Sequence, residues 1–507
     1  MSIAQCHSAH LVGLTIEIIT VEVDISNGLN AVSIVGLGDR AVEEAKDRIS
    51  AALKNSGYLS PKQKNQKVVI SLAPADVRKE GPAFDLAMAI AYLAATGELS
   101  LSDQPPTIFL GELSLEGKVC RVAGILPMLY QADTLGFHRV FIPTDNALEA
   151  SLSPSTETYC VASLAETIAC LNGRQRLIPL KQKCHNRSKN RPNDWQDMNT
   201  VRGNETAKRG LEIAAAGAHN ILMYGPPGTG KTMLAKSFRT ILPPLTRNEA
   251  VEVTSIHSVA RMIKEEFIWE PPFRAPHHTA SYPAIVGGGS IPKPGEISLA
   301  HRGVLFMDEF PEFDRAVLEA LRQPLEERSI TISRAKGMVT FPAQCILIAS
   351  MNPCPCGQPL GKGCTCSEQV LKNYRRKVSG PIMDRVDICL NIDKVDYDKM
   401  ISGRNEAESS ENILARVVRA RQRALARFER YQINKRYNSE MDAQDIARII
   451  QLDDSTRSAT AAAAQKMELS GRALHRVLKV ARTIADLAEA ETINYTHIME
   501  ALQYRQK

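Results

Sequence analysis

No stretch of this 507-residue sequence stays apolar for the roughly 18 residues that a bilayer crossing requires. The first ten residues also lack the basic segment and apolar core of a secretory leader. These absences exclude a membrane-spanning or exported protein, so a cytoplasmic chain with no membrane partner is expected. Low-complexity sequence is missing too, since 30 Gly and 27 Pro are ordinary at this length. Eleven cysteines are an odd number, and Cys6, Cys120, Cys160, Cys170, Cys184, Cys345 and Cys389 stand singly, which does not suit a disulfide framework. A net charge of +6 is small for the length and gives only a weak pull on anionic partners. The placement of charge therefore matters more than its sum.

What is present is a globular composition, 44% apolar and 23% charged, in a chain too long for one core. Residues 1–173 are read as a first α/β domain. From Ala31 onward, strand-like runs such as Lys67–Leu72 and Thr107–Gly111 alternate with a helical stretch, Ala83–Gly97. Residues 174–193 form a basic linker: Arg174–Arg191 holds seven Lys or Arg and no Asp or Glu, as either a solvated tether or a nucleic-acid contact. Residues 194–394 read as a second α/β region. Its apolar runs Asn220–Tyr224, Gly303–Met307 and Cys345–Ala349 alternate with helical patterns, as in a parallel sheet with crossovers. Residues 395–507 read as helical and Arg-rich.

Gly225-Pro226-Pro227-Gly228-Thr229-Gly230-Lys231-Thr232 follows the second region's first strand and precedes a helical pattern, which is the setting a phosphate-binding P-loop needs. Its backbone N–H groups and the helix N-terminus would cradle the phosphates of ATP. Lys231 would reach the terminal phosphates, and Thr232 would ligate Mg²⁺. Further on, Val304–Met307 ends in Asp308-Glu309, two carboxylates at the carboxyl edge of a sheet. Asp308 suits the Mg²⁺ shell, and Glu309 suits orientation and deprotonation of the attacking water. A third strand ends in Ser350-Met351-Asn352, whose amide can hold that water or the γ-phosphate.

These strings resemble the AAA+ superfamily in its magnesium-chelatase-like branch, and within it the ComM/YifB family. Arg274–Ala280, Gly287–Gly289, Pro294–Ala300, Phe306–Phe310, Ser350–Cys354 and Ser379–Arg385 carry the likeness together with the P-loop. The resemblance implies an AAA+ P-loop core with a C-terminal helical lid, working as a homo-hexamer. In such rings a neighbour supplies an arginine to the transferred phosphoryl. The family pattern puts it in Asp384–Asp387, so Arg385 is the candidate, with Arg375 and Arg376 in reserve, and Arg472 is the second sensor, in cis or in trans.

Two pore insertions are also implied, one over residues 273–296 and one a hairpin over Ile330–Thr340. At the hairpin turn Arg334 and Lys336 are candidate contacts to the phosphate backbone of DNA. The activity implied is ATP-driven branch migration or helicase action on single-stranded or branched DNA during natural transformation, with recombination proteins as partners. The alternative is a protein-remodelling ATPase of the magnesium-chelatase type.

Cys354, Cys356, Cys364 and Cys366 form two C-x-C pairs close enough to complete a tetrahedral Zn²⁺ shell; the competing reading is a reduced cysteine-rich loop without metal. The first domain resembles the Lon protease fold through Glu80–Ala89 and Gly111–Gly117. Ala83 stands where that family carries its serine, and Ala123–Pro127 offers no lysine, so no catalytic dyad is expected there.

Overall fold

A computed structural model describes residues 2–63, 65–76, 79, 81–101, 104–153, 156–181, 195–263, 267–289, 292–334, 337–358, 363–393 and 408–505. The chain divides into two compact units. The first comprises Met1–Arg187, Ala250–Ile268 and Ser290–Lys293, and the second comprises the rest. Much of the expected basic linker, residues 182–193, lies outside the described residues.

The first unit is built on a seven-stranded mixed sheet in the order 31–35, 66–73, 15–27, 2–12, 107–109, 139–143, 157–161. The sequence reading begins its strands at Ala31, whereas the two longest strands precede it. Ser2–Val12 and Thr15–Asn27 pair antiparallel over their whole length. In the first of them Gln5, His7, Ser8 and His10 break up the apolar pattern, but in the second Ile16, Ile19, Val21, Val23 and Ile25 all point into the core. The helix Asp85–Ala95 has apolar residues on every face and is buried almost throughout, as such a helix must be. Its one charge, Asp85, is matched by a two-pronged bond from Arg48 (2.7 and 3.0 Å). Burial pushes the Asp85 carboxyl up to about 6, against the pull of that guanidinium.

The second unit holds a five-stranded, wholly parallel sheet in the order Phe273–Arg274, Val304–Met307, Ile346–Met351, Ile221–Tyr224, Ile388–Asn391. Residues Val304–Met307 and Ile346–Met351 are buried throughout, which explains why they read as unbroken apolar runs. The two edge strands are short, and the sequence reading misses both.

Helices from the C-terminal third share this core. Ile413, Val417 and Ala420 of Ser410–Arg430, and Val477, Val480, Ala481 and Ile484 of Gly471–Leu487, cluster with Ile221, Met223, Phe306, Ile348 and Ile388. Several arginines of the first of these helices are engaged in the fold. Arg416 reaches Glu212 (2.5 Å), Arg421 donates to the Ala215 carbonyl (2.6 Å) and lies over the Tyr437 ring, and Arg427 pairs with the buried Asp486 (2.5 Å). Among the described residues no helix is long and apolar enough to cross a membrane.

Candidate nucleotide site

In the parallel sheet the strand carrying the P-loop lies between the fourth and fifth strands of the chain. The connection out of the first strand runs one way across the sheet, and the connection out of the fourth runs the other. The crevice at the carboxyl ends of such strands is where ligands settle. Three segments leave the sheet at that crevice: Gly225 after Tyr224, Asp308 after Met307, and Asn352 after Met351.

The P-loop's shape depends on its glycines. A Cβ at Gly225 would stand 2.2 Å from the Ile392 carbonyl, and Gly230, at φ +87°, caps the helix Lys231–Phe238 in a left-handed conformation. Lys231 opens that helix, and its ammonium donates to the carbonyls of Gly225 (2.6 Å) and Pro226 (2.8 Å) and to Asn352 Oδ1 (3.1 Å). Burial lowers its pKa, while Asp308 pulls the other way. The Thr232 hydroxyl donates to Asp308 Oδ2 at 2.9 Å. Ser350 donates to the other Asp308 oxygen, which also accepts the Glu309 N–H at 3.0 Å. Lys231, Thr232, Asp308 and Asn352 are thus in direct contact. A hydroxyl beside a carboxylate is the kind of oxygen donor set that Mg²⁺ prefers, so Thr232 and Asp308 fit that ion.

Glu309 adopts φ +52°, a conformation that costs a non-glycine residue about 1 kcal/mol or more and that clusters at functional sites. The turn aims its carboxylate at His278, with Nδ1 to Oε2 at 3.2 Å. His278 packs in turn against the rings of His277 and Phe313. The same insertion is anchored by a two-pronged Arg274–Glu296 pair at 2.6 and 2.7 Å. Sequence reasoning assigned no part to His278 or Ser350, although both lie inside strings it singled out.

Arg385 and Arg472 lie at the other end of the sheet. Arg385 and Arg472 line one cavity of about 520 Å³ with Asn220, Cys345 and Asp387, the residues that immediately precede three of the strands. Four strand residues at about 3.3 Å each put roughly 13 Å of sheet between that cavity and the P-loop edge. Arg385 is paired with Glu326 and donates to the Pro381 carbonyl. Ser470 caps the helix Gly471–Leu487 and leaves Arg472 exposed in its first turn. Arg476, one turn on, is buried and ties down Asp384 (3.2 Å) and the Val386 carbonyl (3.0 Å). Arg375 and Arg376 are exposed on the helix Glu368–Lys377.

The hairpin expected over Ile330–Thr340 forms, with Ser329–Arg334 antiparallel to Gly337–Pro342 and Arg334 opposite Gly337. Lys336 lies outside the described residues. Cys354, Cys356, Cys364 and Cys366 bring their four Sγ atoms within 4.8 Å of one another. Hydrogen bonds from the Cys354 thiol and the Gln358 N–H hold the Cys356 thiol down to about 6.

Three family models match successive parts of the chain: "Subunit ChlI of Mg-chelatase" over residues 21–146, "Magnesium chelatase, subunit ChlI" over 197–400, and "Magnesium chelatase, subunit ChlI C-terminal" over 407–505. The sequence is 40% identical over 511 residues to the competence protein ComM of Haemophilus influenzae, covering 100% of this chain and 98% of that one. It is 40% identical over 507 residues to the YifB protein of Salmonella typhimurium, covering 100% and 97%. A more distant match, 26% identical over 220 residues, covers 40% of this chain and 22% of the DNA replication licensing factor mcm2 of Xenopus tropicalis. With relatives aligned along its full length and these models along most of it, the chain belongs to the ComM/YifB family of magnesium-chelatase-type AAA+ proteins.

Proposed function

We propose that this chain hydrolyses ATP in a ring of identical subunits and uses the energy to move on DNA, in a competence-related role. The observation that carries the ATPase half is the convergence of Lys231, Thr232, Asp308, Glu309 and Asn352 on one sheet edge. Phosphoryl transfer asks a protein mainly for positioning and charge neutralisation. Lys231 would exchange its carbonyl partners for terminal phosphate oxygens, and Asn352 would hold the γ-phosphate or the water. Thr232 and Asp308 would hold Mg²⁺, which would supply positive charge against the phosphates. Glu309, oriented by His278, would take the proton of the attacking water.

The ring half follows from Arg385 and Arg472. Both open onto the cavity at the far end of the sheet from their own P-loop, so the phosphates they can serve are a neighbour's. Arg472 is accordingly assigned to act in trans. DNA as the track is supported by the names of two relatives, a competence protein and a replication licensing factor, and by the cations at the hairpin turn. The test is ATP turnover and strand displacement on forked and four-way DNA, with Glu309→Gln as control. DNA-stimulated turnover with displacement is expected, and the absence of both would remove the DNA assignment.

A second reading, a remodelling ATPase that acts on a protein partner, draws support from the magnesium-chelatase family models. Replacing Arg334 and Lys336 with Ala separates the two: DNA binding is lost if the hairpin grips the backbone, and is unchanged if the substrate is a protein.

A further inference from the structure

The four clustered thiols take no part in the chemistry above, yet they abut it. The strand Ile346–Met351 runs through Asn352 and Pro353 straight into Cys354. The Pro353 carbonyl accepts from the Tyr224 hydroxyl at 3.4 Å, just before the P-loop begins. Gly357 turns back in a left-handed conformation, its N–H bonded to the Cys354 carbonyl at 3.0 Å, and places its backbone against the P-loop ring of Pro227. A Cβ there would lie 3.0 and 3.1 Å from Pro227 Cγ and Cδ. After Cys366 the chain enters the helix Glu368–Lys377, capped by Ser367, which carries the buried Tyr374. The cysteine loop therefore joins the strand that presents Asn352 to this helix, and touches the P-loop on the way.

The donor set and its spacing fit one metal. Thiolate sulfurs about 2.3 Å from a tetrahedral Zn²⁺ stand about 3.8 Å from each other. The Sγ separations here are 3.8 Å for Cys356–Cys364, 3.5 Å for Cys364–Cys354 and 3.0 Å for Cys354–Cys356. Cys366 Sγ lies within 4.8 Å of the other three, so the set closes on one ion with shifts of about an ångström or less. Four soft thiolates select zinc over magnesium or calcium.

We propose that Cys354, Cys356, Cys364 and Cys366 bind a Zn²⁺ that braces the P-loop at Pro227 and the strand end at Asn352, making it a positioning metal for nucleotide turnover. The metal site stands on the cysteine geometry alone, and the bracing role rests on the nucleotide reading. One zinc held by all four thiols would fix the two C-x-C pairs relative to each other, and with them the Gly357 turn that rests on Pro227. Asn352 is two residues from Cys354 and holds the Lys231 ammonium, so a slack loop loosens the group that must meet the terminal phosphate.

The experiment uses full-length protein purified without chelator. Elemental analysis is expected to find about one zinc per chain, and replacement by Co²⁺ should give the visible d–d and sulfur-to-cobalt charge-transfer bands of a tetrahedral thiolate site. Cys364→Ser with Cys366→Ser should abolish both signals. Stripping the metal should lower kcat for ATP about 100-fold, the scale of a misplacement of about 1 Å in a reacting constellation, with recovery when Zn²⁺ is returned. Gly357→Ala keeps all four thiols and should retain the cobalt spectrum while slowing turnover. Wild-type protein with no metal and no cobalt spectrum, or with a disulfide among the four, overturns the site. A chain that turns over ATP equally well with and without zinc overturns the bracing role alone. A zinc-loaded chain that binds no ATP overturns the bracing role and the nucleotide reading together.

Discussion

If Arg385 completes a neighbour's site, its loss and the loss of Glu309 damage different subunits of the same interface, and the two defects should complement. Arg385→Ala leaves Lys231, Thr232, Asp308 and Glu309 of its own chain untouched, because they lie across the sheet from it. An arginine supplied in trans is worth about 10³- to 10⁵-fold in turnover, or roughly 4–7 kcal/mol at 1.4 kcal/mol per decade. Before it can act, Arg385 must leave Glu326, whose side chain is 58% exposed. Breaking a pair with so open a partner costs about 1 kcal/mol or less, small beside the gain.

Each single variant, Arg385→Ala or Glu309→Gln, should therefore be nearly inactive by itself. When equal amounts are mixed under conditions that let subunits exchange, a competent site needs Glu309 from one chain and Arg385 from the next. Random mixing in a head-to-tail ring makes about a quarter of the sites competent. A coupled-enzyme ATPase assay on the mixture should read that fraction of wild-type turnover. Activity no greater than the sum of the two variants, or near-wild-type turnover by Arg385→Ala alone, refutes the trans assignment.

Two other expectations follow from the geometry. His278→Ala removes the group that orients Glu309 and should lower kcat about tenfold with KM unchanged, as for an interaction made in the transition state; unchanged or faster turnover under single-turnover conditions would show that His278 has no positioning role. Burial by itself would raise the Asp387 carboxyl, but the hydrogen bond from His219 and the charges of His219, Lys479 and Arg476 together hold it below its ordinary value. A depressed carboxylate stabilises the fold above the unfolded value of about 4, and that stabilisation is lost as pH falls below it. Melting temperatures of wild type and Asp387→Asn should converge between about pH 5 and pH 3, and a gap independent of pH would refute the linkage.

The grouping at the candidate nucleotide site was legible because each of its members sits at a fixed step beyond an apolar run. Gly225–Thr232, Asp308-Glu309 and Asn352 follow strands that are buried on both faces and so read continuously. What the sequence hid depends on contacts between distant segments. His278 meets Glu309 across 31 positions, a pairing set by the left-handed turn at Glu309 and by the packing of His278 on Phe313. The edge strand Phe273–Arg274 is too short to stand out by periodicity, and Ile388–Asn391, buried only at alternate residues, gives no unbroken apolar run. The Arg-rich helix shows the opposite case. Its sequence reads only as helical and Arg-rich, and Glu212, Glu408 and Asp486 neutralise several of those charges within the fold. Composition alone cannot separate those arginines from Arg472, which is exposed in the first turn of its helix.

The fifth strand, Ile388–Asn391, has a structural consequence for assembly. Its entry is Asp384–Asp387, where Arg476 grips Asp384 and the Val386 carbonyl, and where Asp387 accepts from the Asn220 N–H and meets His219. Its exit is Ile392, whose N–H bonds to the Tyr224 carbonyl at 2.8 Å and whose own carbonyl lies against Gly225 at the first step of the P-loop. One short edge strand thus joins the segment that carries Arg385, the arginine proposed to serve a neighbour, to the chain's own P-loop. Both ends are pinned by hydrogen bonds, so the spacing between the two half-sites is fixed by strand length and not by a flexible linker. A heterologous contact closes into a ring only if every copy presents its two patches at the same separation and angle. A strut of this kind would meet that requirement: if Arg385 serves a neighbour's site, as the family pattern implies, the fold presents it at a fixed distance from the chain's own P-loop.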